Sequence, residues 1–137
     1  AEEVGCECGE DVGYAIRFED VTSPQTAIKY LTDGILLREC LTDRKLSAYG
    51  MVMLDEAHER SLHTDILFAL MKEVVTSRED FRLLVCSATL DTSKFSDYFF
   101  NAPTIDVPGR TFPVEIEHVE CQRYVDKAME LVDELHM

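Results

Sequence analysis

Tryptophan is absent from this chain, and so is any apolar run of the roughly 18 residues that a membrane-spanning helix requires. No secretory leader pattern opens the chain either, so a membrane partner is not expected. Basic residues are scarce: 13 Lys and Arg stand against 27 Asp and Glu, for a net charge of -14. That balance argues against a simple basic nucleic-acid-binding module, whose footprint is a positive domain. It leaves room for a protein that grips phosphates through a few placed groups. The five cysteines lack framework spacing; Cys6-x-Cys8 has no second pair, so neither a disulfide scaffold nor a zinc site is expected. They read as reduced thiols of an intracellular protein. Also missing is the G-x-x-x-x-G-K-[S/T] loop that cradles nucleotide phosphates, since none of the six glycines is followed by Lys.

What is present fits an α/β protein. The 137 residues are 46% apolar, with seven Phe and five Tyr. This length allows one domain, or most of one with the start of another. Val12 to Phe18 reads as a strand, closed by the acidic, turn-prone stretch Glu19 to Pro24. Ala27 to Leu31 is a second strand, and Asp33 to Leu41 has helical spacing with Thr32 or Asp33 as its N-cap. Met51-Val-Met-Leu54 and Leu83-Leu-Val-Cys86 are apolar runs of the kind found in strands buried on both faces. Leu62 to Val75 carries the apolar stripe of an amphipathic helix, and Asp91 to Phe100 a shorter helix. Further on, Thr104 to Val107 and the alternating Phe112 to Val119 predict strands, and Arg123 to Met137 a last helix. Strands alternating with helices imply a parallel sheet flanked by helices. Ala1 to Val4 reads as the tail of a helix already under way.

Three short patterns carry chemistry. The first is Asp55-Glu56-Ala57-His58-Glu59-Arg60, directly after the apolar strand. Ligands of open α/β sheets gather at the carboxyl ends of strands. A carboxylate there can touch the waters of Mg²⁺, and a second can orient or deprotonate an attacking water. The other reading is a solvated acidic turn. A zinc-protease reading fails on spacing, because His63 follows His58 at i+5 rather than the required i+4. The second pattern is Ser87-Ala-Thr89, two hydroxyls at a strand end that can hydrogen-bond into the carboxylate site, and taken alone only a helix N-cap. The third is Thr32-Asp-Gly-Ile-Leu-Leu-Arg38-Glu39, where a hydroxyl, helix-start amides and an Arg one turn on suit a nucleic-acid phosphate, though as isolated residues they are an ordinary capped helix.

In this order, T-D-G-x-L-L-R-E, D-E-A-H-E-R and S-A-T resemble motifs Ib, II and III of the DEAH-box ATP-dependent RNA helicases of superfamily 2, in the branch serving pre-mRNA splicing and ribosome assembly. The resemblance covers nearly the whole chain. Val12-Gly-Tyr-Ala-Ile-Arg-Phe-Glu-Asp20 resembles that family's strand and RNA-facing turn. Lys94-Phe-Ser and Val107 to Val114 resemble the end of its first RecA-like domain, and Tyr124-Val-Asp the opening helix of the second. The family implies a partial RecA-like fold of the P-loop NTPase type, its central phosphate-loop strand missing. Residues 1–117 would belong to the first RecA-like domain and 118–137 to the linker and first helix of the second.

The same resemblance implies roles for individual residues. Asp55 would hold the magnesium–ATP complex through water, Glu56 would be the general base, and His58 would link nucleotide state to the second domain. Ser87 and Thr89 would couple hydrolysis to strand separation. Thr32, Arg17 and Phe18 would lie on the RNA path, while Arg38 is equally a helix salt-bridge partner. ATP and Mg²⁺ are the implied cofactors. RNA, the second RecA-like domain, spliceosome components and a G-patch type activator are the implied partners, in the nucleus or elsewhere inside the cell. Without the phosphate loop, the expectation is a helicase segment inactive by itself. The alternative is a truncated, non-catalytic paralogue that binds partners through its acidic face. Either way, apolar strand edges deprived of a neighbour predict poor stability in isolation.

Overall fold

Gly13 sits where the chain passes close to itself: a Cβ there would lie 2.3 Å from the carbonyl oxygen of Val21, so only glycine fits. The crossing belongs to a hairpin between β1, Val12–Ile16, and β2, Glu19–Val21, which pair antiparallel from Tyr14↔Val21 to Ile16↔Glu19. The computed structural model describes residues 1–88, 92–109, 112–116 and 118–136. On its other side β1 pairs in parallel with β3, Ile28–Leu31, giving a three-stranded sheet of order β2-β1-β3.

Helix α1, Asp33–Thr42, follows β3 at once, with Thr32 in the extended conformation of an N-cap but making no side-chain cap bond. A second sheet pairs β4, Met51–Leu54, in parallel with β5, Arg82–Val85. Between them runs α2, Leu62–Ser77, started by Ser61, whose hydroxyl accepts the Thr64 N–H at 3.0 Å. The chain thus crosses from β4 to a parallel neighbour through a helix, as parallel pairing requires. A shorter helix, α3, spans Thr92–Tyr98.

The core lies where α1 and α2 meet the inner side of β4. Leu36 and Cys40 of α1, Val52 and Leu54 of β4, and Leu67, Phe68, Met71 and Val74 of α2 are buried together with Leu46, Ala57 and Phe81. Phe95 and Phe99 of the α3 segment extend it, their rings edge-on to Phe68 at 5.0 and 6.3 Å. Arg78, at the end of α2, closes the far end. Its Nη1 donates to the carbonyls of Lys45, Leu46 and Tyr49, pinning the loop between α1 and β4. That loop needs holding, since the buried Leu46 adopts a left-handed φ of 48°.

Several expectations are corrected here. Glu19 to Val21, read as part of a turn, is a strand, because the hairpin supplies it a partner. Met51 and Met53 are 55% and 56% exposed, so β4 is covered on one face and open on the other. The stretches 104–107 and 112–119 contain no strand among the described residues, where no neighbouring strand pairs with them. Residues 1–4 form a brief 3₁₀ turn, Glu2–Val4, ended by Gly5 at φ 76°.

The chain divides into two compact units, Ala1–Thr104 and Ile105–Met137. The second contains α4, Tyr124–His136, and none of its described residues is buried. Its apolar stripe, Val125, Met129, Val132 and Leu135, is exposed.

Candidate functional site

The register of the β4–β5 pair sets Leu54 beside Val85, so the residues that follow each strand emerge next to each other. Two backbone bonds extend the pairing past the strand ends. Cys86 N–H donates to the Leu54 carbonyl at 2.8 Å, and Ala57 N–H donates to the Cys86 carbonyl at 3.0 Å. Asp55 and Glu56 are therefore held on one side and Ser87 on the other of a single sheet edge. Ala57, entirely buried, is the plug beneath them.

The turn between β4 and α2 is strained. Glu56 and Arg60, both at φ 49°, flank a 3₁₀ turn over Ala57–Glu59. Left-handed conformations cost non-glycine residues on the order of 1–3 kcal/mol and persist only where neighbours over-determine them. Here the anchors are the Ala57 bond to Cys86 and a two-pronged pair in which Arg60 Nε and Nη2 donate to Asp65 at 2.6 and 3.1 Å. That pair lowers the Asp65 carboxyl below its ordinary range, and the same contact raises Arg60.

The carboxylates themselves remain open to solvent. Asp55 Oδ1 accepts the Glu56 N–H at 2.9 Å, which fixes the side chain and leaves Oδ2 open. Glu56 Oε2 stands 3.3 Å from His58 Nδ1, close enough for an ion pair when the ring is charged, but without hydrogen-bond alignment. His58 Nδ1 is consequently a buried nitrogen that lacks a hydrogen-bond partner. No Lys or Arg among the described residues forms an ion pair with Asp55 or Glu56. A fixed carboxylate with one free oxygen suits a hydrated divalent cation that keeps most of its own waters. No three His, Cys, Asp or Glu among the described residues form a metal cage.

A second cluster lies at the start of both helices. Asp33 Oδ2, in the first turn of α1, accepts from Thr64 Oγ1 at 2.6 Å, and Ser61 Oγ lies 3.4 Å from the same oxygen, both hydroxyls at the start of α2. Elsewhere, Arg17 and Phe18 form the two-residue tip of the β1–β2 hairpin. Phe18 is 90% exposed, and the Arg17 guanidinium lies 5.0 Å from the centre of its ring.

No family model matches the chain. The pre-mRNA-splicing factor ATP-dependent RNA helicase prp22 of Schizosaccharomyces pombe is 53% identical to it over 139 aligned positions, covering all of this chain and 12% of that relative. The whole chain is similar to a segment of a DEAH-box RNA helicase. It spans about an eighth of the length of the curated relative it matches.

The D-E-A-H residues that name the family are thus those of the strained turn. Asp55, Glu56 and His58 lie on it together, and Ser87 is brought beside them through the Cys86 carbonyl. Thr89 lies outside the described residues. Thr32 heads α1, one residue from the Asp33 cluster. None of the hydrogen bonds or ion pairs described links Arg17 or Phe18 to the DEAH turn. Arg38, weighed as a salt-bridge partner, forms no ion pair among the described residues; Glu39 instead pairs with Lys29 at 2.8 Å. Sequence reasoning missed Ser61 and Thr64. The signal available was S-x-x-T at a helix start, which reads as a cap and does not reveal Asp33 as its partner.

Proposed function

We propose that this chain is part of the first RecA-like domain of an ATP-dependent RNA helicase acting in pre-mRNA splicing. Residues 1–117 belong to that domain and 118–137 lead into the second. The observation that carries the reading is the bond from Ala57 N–H to the Cys86 carbonyl, which joins the DEAH turn to the Ser87 turn at one sheet edge. Asp55, fixed by the Glu56 amide, would hold the hydrated Mg²⁺ of the nucleotide through its free oxygen. When bound there, Mg²⁺ would help neutralise the charge that builds on the phosphate oxygens as water displaces ADP.

Glu56 is the general base, its exposed carboxylate carried on a strained backbone with His58 Nδ1 3.3 Å away. His58 carries the nucleotide state toward the second domain, and Ser87 and Thr89 couple it to strand separation. RNA lies against Thr32 and the Arg17–Phe18 tip, where a guanidinium and an exposed ring suit a phosphate and a base. These 137 residues hold no phosphate-cradling loop, so no turnover is expected of them alone. Spliceosome components and a G-patch type activator are its expected partners, in the nucleus.

The test is ATP turnover by the full-length protein with and without RNA. Glu56→Gln should reduce hydrolysis by about 10²–10⁴-fold, the usual contribution of a general base, while nucleotide still binds. Turnover that survives this substitution overturns the reading.

A further inference from the structure

Thr64 is the one buried polar side chain among the described residues, and its hydroxyl donates out of its own helix, to Asp33. An ionised Asp33 only accepts, so the Thr64 hydroxyl must donate to it across the 2.6 Å contact. Thr64 Oγ1 then accepts from Ser61 Oγ, 2.7 Å away, while Ser61 Oγ accepts the Thr64 amide. A directed chain therefore runs from Ser61 through Thr64 to Asp33, and such chains reinforce one another in a partly buried setting. The carboxylate also stands in the first turn of α1 and accepts from the first turn of α2, where helix dipoles favour negative charge.

The position of this link matters more than its strength. On one side, Asp33 is adjacent to Thr32, the hydroxyl at the head of α1. On the other, Ser61 follows the DEAH turn, with Arg60 at a left-handed φ between them. Helices α1 and α2 pack together through an apolar core, to which only directional polar bonds at the helix ends can add a one-to-one register. The hydroxyl–carboxylate chain supplies that register.

We infer that Asp33 and Thr64 are positioning residues that transmit RNA contact at the head of α1 to the hydrolytic turn at Glu56. The inference rests on the helicase reading above. RNA held at Thr32 fixes the first turn of α1, Asp33 carries that constraint to Thr64 and Ser61, and the short strained segment back to Glu56 is set accordingly. Neither residue touches nucleotide or RNA; each acts through another.

The experiment measures ATP turnover by the full-length protein, basal and RNA-saturated, for wild type, Thr64→Val, Thr64→Ser, Asp33→Ala and the Asp33→Ala/Thr64→Val pair. Basal turnover should stay near wild type in all of them. The RNA-stimulated increment should fall about fivefold or more in Thr64→Val and Asp33→Ala, the lower range of site-to-site couplings. Thr64→Ser, which keeps the hydroxyl, should retain it, and the double variant should lose no more than either single one. A merely structural role would lower basal and stimulated turnover together, and that result overturns the inference. So does a Thr64→Val increment equal to wild type, which leaves the helicase reading standing. A wild-type protein that RNA does not stimulate overturns both.

Discussion

The amide of Ala57 donates to the carbonyl of Cys86 at 3.0 Å, although 29 positions separate the two residues in the chain. Parallel pairing of β4 and β5 makes the bond possible, and complete burial of Ala57 makes it tight. There is no room beneath the DEAH turn for a larger side chain. Ala57→Val should therefore overpack the site at a cost of about 1–3 kcal/mol. Hydrogen exchange across residues 54–60 should quicken and ATP turnover of the full-length protein should drop. Ala57→Ser, much closer in volume, should be milder on both measures.

The hairpin tip yields a prediction about RNA alone. Stacking of a base on an aromatic ring contributes about 1–3 kcal/mol. Phe18→Ala should weaken RNA binding by that amount in a titration with a fluorescent single strand, leaving basal ATP turnover intact. Gly13→Ala tests the scaffold behind it, since its new methyl would meet the Val21 carbonyl and force β1 from β2. It should weaken RNA binding several-fold without removing any group that contacts RNA.

Tyr49 is predicted to titrate late. Its hydroxyl donates to Glu39, which also receives Lys29, and burial with that carboxylate pushes the phenol well above its ordinary value. A folded-state pKa raised above the unfolded one gives stability that is complete below the unfolded value, near pH 10. That stability is lost as pH rises through the folded value. Alkaline unfolding should begin above about pH 10, and Tyr49→Phe should shrink the pH-dependent part. An ultraviolet titration of the tyrosines checks this directly: Tyr49 should ionise late, as should Tyr14, raised by its hydrogen bond to Glu19.

Two arginines give an internal contrast. Arg78 donates to three carbonyls of the loop before β4 and pairs with Asp80, whereas Arg44 only approaches Glu73 at 3.8 Å with both side chains well exposed. Arg78→Ala strips three carbonyls of their donor and should lower the thermal midpoint by several degrees. Arg44→Ala should leave it unmoved, as exposed pairs generally do. Equal shifts for the two would contradict the clamp.

The regular elements were legible where period alone specifies them. Ile66, Leu67, Leu70, Met71 and Val74 recur at helical intervals and announce α2 directly. Strand β2 was not legible, because Glu19-Asp20-Val21 has no apolar pattern and becomes a strand only by pairing with β1. The opposite failure occurred at 104–107 and 112–119, where alternation is present but no partner strand is found among the described residues. Within the site, Asp55, Glu56 and Ser87 were readable because each follows an apolar run at a strand's end. The Asp33–Thr64 bond was not, since it spans 31 positions and exists only through the packing of α1 on α2. Arg78 escaped for the same reason: its partners are backbone carbonyls, which leave no trace in residue type.

Strand β4 alternates between sealed and open positions, and the open ones are both thioethers. Met51 and Met53 are accessible to peroxide, while Val52 and Leu54 behind them have nothing to oxidise. Conversion to sulfoxide would make that face polar without disturbing the core beneath it. The strand that ends in the two carboxylates thus bears its own chemical footprint. In the full-length protein, the extent of oxidation at these two sulfurs, read by mass spectrometry, reports how well its outer face is covered.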